Sequence, residues 1–176
     1  IASTTQCLHP RRRTWNKALL KRLGLPTKML PRIVPPGTKL GRLRPSVARE
    51  TGLGRIQVVA PPSHDTASAV AGVPTRNTGT PNWAYISSGT WSLMGAEVQR
   101  ASLTPRTLEF NLTNEGGVDG TFRLLKNIMG LWLVQRCKRS FDAKGRVRTY
   151  AELEKLAAGA PALRSLINPN DTRFLN

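Results

Sequence analysis

An acidic residue after an apolar run is the first position in this sequence that could do chemistry. Asp65 follows the run 56–60 and two prolines, and a helix of small residues is predicted directly after it, over 66–73. A carboxylate at the point where a strand opens into a helix can take a proton from a bound hydroxyl. It can also cap that helix by accepting its free backbone amides, which is the commoner role for such a residue. The pattern alone leaves both alternatives open.

A second group of polar residues surrounds a glycine further along the chain. Ser87, Ser88 and Thr90 lie around Gly89, between two predicted strands. Hydroxyls and turn amides of this kind can hold a phosphate, because the glycine allows close approach. An ordinary serine-rich hairpin has the same composition. Together, an acid that accepts a proton and a hairpin that holds a phosphate indicate phosphoryl transfer. The sequence contains no GxxxxGK[ST] motif, so a P-loop is excluded.

A mixture of helices and strands is predicted to position these residues. We expect helices over 14–25, 66–73, 127–141 and 150–158. We expect strands over 56–60, 83–88, 90–97 and 109–113, and a loose glycine-containing turn over 116–120 before residues 121–125. The strand 56–60 and the first half of the helix 127–141 are nearly continuously apolar, which predicts that both are buried. The proline-rich residues 31–45 are predicted to form an irregular loop.

Polar residues are predicted to begin three of the helices. Thr14 can cap the first, Asn127 the third, and Thr149 with Glu152 has the spacing of a capping box. Gln135 lies two turns after Asn127 and by itself is most often a polar residue at a helix edge. His64, taken alone, is more often a structural histidine than a proton shuttle.

The charge of the chain is strongly positive. Its 176 residues include 27 Lys and Arg against 10 Asp and Glu, a net charge of +17. Most of the excess lies in residues 1–55, but the only tight run is 11–13, and no aromatic residues alternate with it as stacking on bases requires. We therefore expect no nucleic-acid partner.

Other classes are excluded by what the sequence lacks. The sequence has no run of eighteen apolar residues and no signal-peptide pattern. We therefore expect no membrane partner, and a cytosolic location is the default. The cysteines and histidines do not have the spacing of a zinc site; they are Cys7, His9, His64 and Cys137. The chain starts at Ile1 rather than Met and stops at Asn176 without a terminating pattern, from which we expect an internal fragment or a truncated gene product.

Several segments together resemble the FGGY family of carbohydrate kinases. In chain order they read SHDTASAV, YISSGTWSLMG, NEGG and LKNIMGLWLVQR, at 63–70, 85–95, 114–117 and 125–136. Residues 2–6 with Trp15, and residues 36–38 with Gly41, are similar to the same family. The SGTWS hairpin and the stretch 127–135 favour the kinases of this family that act on L-rhamnulose over those that act on xylulose or glycerol.

The resemblance implies a fold. It is a two-lobed α/β fold of the actin/hexokinase type, in which each lobe has a ribonuclease-H-like core. This chain would hold the end of the first, sugar-binding lobe over 1–75 and a linker over 76–82. The start of the second, ATP-binding lobe would follow over 83–176.

The resemblance also implies a reaction and a set of site residues. The reaction is the ATP-dependent phosphorylation of L-rhamnulose at its 1-hydroxyl, with Asp65 as the general base. Thr90 and Gln135 would contact ATP. The sugar would be held by His64, Asp65, Thr66 and Asn127.

The chain also departs from the family's pattern. The first phosphate loop and the adenosine-binding segment of the family are not among these residues, and Mg²⁺ would be held partly by those segments. We therefore expect ATP and Mg²⁺ to serve the whole enzyme, no metal ligand in this chain, and no activity from these residues alone. Two alternatives stay open: a kinase of the same family for another ketose or polyol, and a catalytically dead basic module that binds a polyanion.

Overall fold

The computed structural model describes residues 1–77 and 82–174 of the chain. The chain forms two compact units. The first consists of Ile1–Tyr85 and Gly95–Lys126, and the second of Ile86–Met94 and Asn127–Asn176. Both the acidic segment around Asp65 and the 114–117 motif belong to the first unit, whereas the Gly89 hairpin belongs to the second.

Helices and strands alternate irregularly along the chain. The helices are α1 (Lys17–Arg22), α2 (Pro45–Thr51), α3 (Asp65–Ala71), α4 (Pro105–Glu109), α5 (Trp132–Ala143) and α6 (Tyr150–Ala158), with short 3₁₀ turns at Ala2–Thr5 and Thr172–Phe174. The strands are β1 (Leu8–His9), β2 (Thr14–Trp15), β3 (Lys39–Arg42), β4 (Gln57–Val59), β5 (Tyr85–Ser88), β6 (Trp91–Val98), β7 (Thr113–Gly116) and β8 (Phe122–Met129).

Three sheets are formed by these strands. The largest has four strands in the order β5, β6, β8, β7, and two antiparallel pairs, β1 with β2 and β3 with β4, complete the set among the described residues. In the antiparallel pair of β7 and β8, Glu115 lies directly opposite Arg123 and Gly116 opposite Phe122. This register brings two oppositely charged side chains together, because residues directly opposite each other share one face of the sheet.

The first predicted helix starts later than expected. Thr14 belongs to β2, where it pairs with His9, and so it does not cap the helix. The cap is Asn16, whose Oδ1 accepts a hydrogen bond from the Leu19 amide at 3.1 Å. Asparagine is among the strongest N-cap residues, and its side chain takes up one of the free amides of the first turn.

The region predicted as a loop over 31–45 is irregular only in its first half. Residues 39–42 form β3, which pairs with β4, and Pro45 begins α2. Proline is well suited to the first turn of a helix, where its missing N–H is not needed. The prediction that strand 56–60 is buried is wrong, because β4 pairs only with β3 and its residues are exposed or half-buried.

The small-residue helix is confirmed, as α3, and begins at Asp65 itself. Ala67 and Val70 on this helix are buried, and Ser68 Oγ donates a 2.7 Å hydrogen bond to the Pro62 carbonyl. Small side chains allow the helix to pack closely against its surroundings. The local sequence thus places Asp65 at the first turn of a partly buried helix.

Strand predictions around the glycine hairpin are confirmed by β5 and β6, but the strand predicted over 109–113 is wrong. Residues 105–109 form α4, which begins at a proline and is capped by Thr104 through a 3.2 Å hydrogen bond from the Thr107 amide. The strand that follows is β7, which starts only at Thr113.

The helix predicted over 127–141 begins five residues late. Residues 127–129 instead belong to the strand β8, and α5 starts at Trp132. Asn127 is therefore a strand residue and not a helix cap. Every residue of α5 is exposed or half-buried, which corrects the expectation of a buried first half.

The last predicted helix is confirmed as α6. Its capping box is complete: Thr149 Oγ1 accepts from the Glu152 amide at 3.2 Å, and Glu152 Oε2 accepts from the Thr149 amide at 2.7 Å. Of the linker expected over 76–82, residues 78–81 lie outside the described residues.

Candidate active site

Three of the predicted site residues lie together at the start of α3. His64 is the residue before the helix, Asp65 is its first residue, and Thr66 is buried within its first turn. They are brought to one place by the local sequence, since two prolines end the preceding segment and the helix begins immediately afterwards.

The two oxygens of the Asp65 carboxylate have different surroundings. Oδ1 accepts a 2.6 Å hydrogen bond from the Thr66 amide, so it satisfies a free N–H group of the first helical turn. Oδ2 has no hydrogen-bond partner among the residues that the structure describes, and the side chain is 94 % exposed. The carboxylate can therefore support the helix with one oxygen and offer the other to a ligand.

His64 lies between this carboxylate and a second one. Its Nε2 atom is 3.4 Å from Asp65 Oδ1, and its Nδ1 atom is 3.9 Å from Glu115 Oε2. The Nδ1 atom is buried and has no hydrogen-bond partner among the described residues. His64 thus links the exposed Asp65 to a buried acid on β7.

That buried acid is paired with an arginine. Arg123 Nη2 donates a 2.6 Å hydrogen bond to Glu115 Oε2, and the side chains are only 2 % and 8 % exposed, respectively. Arg123 also directs Nε towards the Gly116 carbonyl at 3.5 Å. Because a buried charge is costly unless it is paired and hydrogen-bonded, each of the two residues holds the other in place.

A cavity of about 410 Å³ opens beside this group. His64 and Arg123 contribute to its wall, and so do Ser63, Ala67 and the glycine pair 116–117. The Asp65 carboxylate lies outside the wall, next to His64 in the chain. Most of the remaining wall is apolar, with four prolines, Ile33, Val34 and Phe122 among its residues.

Tyr85 belongs to the same buried polar group. Burial raises the pKa of its phenol, and the nearby Arg123 partly offsets that increase. Its hydroxyl oxygen is buried close to the Arg123 guanidinium. A side chain at position 95 would approach this oxygen to 2.7 Å, so Gly95 leaves the room that the phenol occupies.

In the second unit the glycine hairpin is joined to the start of α5. The Gly89 carbonyl accepts a hydrogen bond from the Leu131 amide at 2.9 Å, and the Thr90 carbonyl accepts one from the Trp132 amide at 3.1 Å. The amides at the start of α5 are thereby used within the protein. Thr90 is exposed and Ser87 is half-buried.

Close packing at this junction requires Gly130. A Cβ atom at that position would meet Ser92 Oγ at 2.5 Å and the Ser92 nitrogen at 2.9 Å, and would contact the Gly89 carbonyl. Gln135 lies in the first turns of α5 and is half-buried. Asn127 is exposed near the end of β8.

The predicted site residues therefore fall into two groups. His64, Asp65 and Thr66 lie in the first unit, and Thr90, Asn127 and Gln135 lie in the second.

The sequence did not predict a role for Glu115 and Arg123, which lie beside His64. The sequence does contain a signal for this pair. The two residues have opposite charges and lie at equal distances from the turn 117–121, in the two strands that the turn connects.

No group of three or more His, Cys, Asp or Glu residues in 1–77 and 82–174 could hold a metal ion. No helix in the same ranges is long and apolar enough to cross a membrane.

Comparison with known families gives two adjacent matches. The C-terminal domain of the FGGY family of carbohydrate kinases matches residues 84–176, and the N-terminal domain of the same family matches residues 1–72.

Individual relatives match along the whole chain. A rhamnulokinase from Pectobacterium carotovorum is 47 % identical over 175 residues, covering 99 % of this chain and 33 % of the relative. A rhamnulokinase from Bacteroides thetaiotaomicron is also 47 % identical, covering 100 % of this chain and 35 % of the relative. The chain thus spans about a third of the length of these relatives.

Solved structures match at the level of the fold. A xyloylose kinase from Brucella ovis superposes with a TM-score of 0.63 at 21 % identity, covering 81 % of this chain and 28 % of that one. A xylulose kinase from Rhodospirillum rubrum superposes with a TM-score of 0.57 at 22 % identity, covering 82 % and 28 %. These matches confirm the expected α/β fold of a sugar kinase, of which this chain holds a part.

Proposed function

Since the chain belongs to the FGGY family of carbohydrate kinases, we propose that it is part of an enzyme that phosphorylates L-rhamnulose at its 1-hydroxyl with ATP. The products are L-rhamnulose 1-phosphate and ADP. The choice of sugar is supported by the two relatives at 47 % identity that are named rhamnulokinase. The domain division that goes with this proposal is 1–75 for the sugar-binding lobe and 83–176 for the ATP-binding lobe, joined by 76–82.

The observation that carries the proposal is the state of the Asp65 carboxylate. One oxygen is held by the Thr66 amide at 2.6 Å, while the side chain as a whole is 94 % exposed. A general base must be fixed in direction and still reach the hydroxyl that it deprotonates. The hydrogen bond from the Thr66 amide orients the carboxylate, and the exposed side chain leaves Oδ2 able to contact the hydroxyl of a bound sugar.

In the proposed reaction, Asp65 accepts the proton of the sugar's 1-hydroxyl. The oxygen then forms a bond to the γ-phosphorus of ATP, and the bond from that phosphorus to the β–γ bridging oxygen breaks, releasing ADP. Phosphoryl transfer of this kind depends mainly on positioning and on stabilisation of charge. His64, Thr66 and Asn127 are the residues to which we assign the positioning of the sugar.

On the nucleotide side, we assign Thr90 and Gln135 to contacts with ATP. The exposed Thr90 hydroxyl is available for such a contact because the backbone of its hairpin is held by Leu131 and Trp132. Mg²⁺ would accompany ATP and would neutralise the charge of its phosphates. We assign the ion no ligand in this chain, because the family segments that would help to hold it are not among these residues.

A chimaeric kinase tests the proposal. Residues 1–176 replace the matching third of the Pectobacterium relative, and ADP release is measured with L-rhamnulose, with other ketoses and with glycerol. We expect L-rhamnulose to have the highest kcat/KM, by about tenfold or more. Preference for another ketose in a folded chimaera would contradict the choice of sugar, and ATP binding without transfer to any sugar would contradict the kinase proposal. The unmodified relative is the control.

A further inference from the structure

A single oxygen of Glu115 contacts the two basic side chains around it. Glu115 Oε2 accepts the 2.6 Å hydrogen bond from Arg123 Nη2 and is also 3.9 Å from His64 Nδ1. Both Glu115 and Arg123 are buried, and the register of β7 and β8 places them directly opposite each other. The position of this oxygen is therefore set by two strands rather than by a flexible surface side chain.

The Nδ1 atom of His64, which faces Glu115, needs a hydrogen-bond partner. This atom is buried and has no hydrogen-bond partner among the described residues. Buried polar nitrogens are nearly always paired in folded proteins, because an unpaired one costs the free energy of its lost hydration. The nearest charged acceptor that the structure provides is Glu115 Oε2, and a shift of about 1 Å brings the 3.9 Å separation into hydrogen-bond range.

We propose that Glu115, fixed by Arg123, is a positioning residue that holds the His64 ring against the Asp65 carboxylate. The proposal rests on the proposed function, in which Asp65 is the base. Glu115 acts from behind His64 and does not touch the reacting atoms. Its partner Arg123 serves to fix the direction of the carboxylate, since a lone buried glutamate would not keep one orientation.

The position of the His64 ring matters for catalysis because the ring lies close to the proposed base. His64 Nε2 is 3.4 Å from Asp65 Oδ1, the same oxygen that accepts from the Thr66 amide. The ring therefore lies next to the same oxygen that the Thr66 amide holds. Misplacement of a reacting group by about 1 Å can cost on the order of a hundredfold in rate. A small movement of His64 is thus sufficient to lower turnover.

The first test measures the His64 ring directly in the 176-residue chain. The chain has only two histidines, His9 and His64, so the imidazole nitrogen spectrum of labelled protein contains two sets of signals, which a His9→Gln variant assigns. We expect Glu115→Gln to shift the His64 signals and to leave those of His9 unchanged. Unchanged His64 signals in a folded variant would overturn the proposal.

A matched control separates this effect from the general loss of a buried charge. Glu97 is another buried carboxylate of the first unit, hydrogen-bonded by Thr121 Oγ1 at 2.7 Å. We expect Glu97→Gln to leave the His64 signals in place; a shift equal to that of Glu115→Gln would overturn the proposal.

A second variant covers the case in which Glu115→Gln does not fold. The double variant Glu115→Gln with Arg123→Met removes both charges and so leaves no unpaired ion in the interior. The same shift of the His64 signals is expected in it, and unchanged signals would contradict the proposal.

The second test uses the chimaeric kinase and a double-mutant cycle. We expect Glu115→Gln to lower kcat on the order of tenfold or more and to change KM for the sugar less. In a His64→Ala background the same substitution should change kcat by less than about twofold, because the ring through which Glu115 acts is gone. An equal loss in both backgrounds would show a merely structural role. A chimaera that transfers phosphate to no sugar contradicts the proposed function, while the nitrogen spectrum still decides whether Glu115 holds His64.

Discussion

Glu115 and Arg123 lie directly opposite each other on β7 and β8 and are joined by a 2.6 Å hydrogen bond inside the first unit. We predict that Arg123→Met is strongly destabilising, by about 3–5 kcal/mol, because it leaves the Glu115 carboxylate buried without its partner. Adding Glu115→Gln should recover most of that loss. Thermal denaturation of the two variants and the wild type measures the difference, and equal losses in the single and the double variant would contradict the account.

The junction between the glycine hairpin and α5 gives a second prediction. A Cβ atom at Gly130 would lie 2.5 Å from Ser92 Oγ, so Gly130→Ala forces the hairpin and the helix start apart. We expect faster hydrogen exchange of the Leu131 and Trp132 amides and a loss of about 1–3 kcal/mol.

Gly159→Ala is the matched control for this substitution. A Cβ atom there would be 3.7 Å from the Lys155 carbonyl, an ordinary contact, and the backbone has φ −84°. We expect it to leave the exchange of both amides unchanged. If Gly130→Ala behaves like Gly159→Ala, the close approach that the structure shows is wrong.

The third prediction concerns the capping box of α6. Thr149→Ala removes the oxygen that accepts from the Glu152 amide at 3.2 Å and should cost the helix about 1 kcal/mol. Thr149→Ser keeps that oxygen and should be close to wild type. Carbon chemical shifts of residues 150–158 report the helix content, and an alanine variant as helical as the serine variant would count against the cap.

Tyr85 predicts a pH dependence of stability. Burial raises the pKa of its phenol in the folded protein above the ordinary value of 10.0, and Arg123 reduces that shift. The unfolded chain therefore loses this proton first as pH rises above about 10, so the free energy of unfolding falls in that range and is unaffected at lower pH. We expect wild type to lose more stability than Tyr85→Phe between about pH 9 and about pH 11 in denaturant titrations. Equal losses in the two proteins would contradict a raised pKa.

Elements whose signals are local were predictable from the sequence. The capping box of α6, the small-residue helix α3 and the hairpin around Gly89 each follow from residues within a few positions of one another. Elements that depend on distant partners were not. Residues 127–129 have a helical pattern but extend β8, because strand pairing outweighs the intrinsic preference of a short segment.

The same division applies to the candidate site. The cluster of His64, Asp65 and Thr66 is contiguous, so the sequence alone places these residues together. The Glu115–Arg123 pair depends on the register between β7 and β8, which a reading of helix caps and apolar runs does not determine. The burial predicted for 56–60 failed for a related reason, since the periodicity of a strand does not say what packs against it.

The most direct test of the central claim is Asp65→Asn in the chimaeric kinase. Asparagine keeps an oxygen that can accept from the Thr66 amide, so the 2.6 Å hydrogen bond in the first turn of α3 can persist while the proton acceptor is lost. Asp171→Asn, which changes a half-buried carboxylate of the second unit paired with Arg173, is the control. We predict a fall in kcat on the order of a hundredfold to ten-thousandfold for Asp65→Asn, with sugar affinity and melting temperature close to those of the parent. An Asp65→Asn enzyme as active as the parent would contradict the assignment of Asp65 as the base.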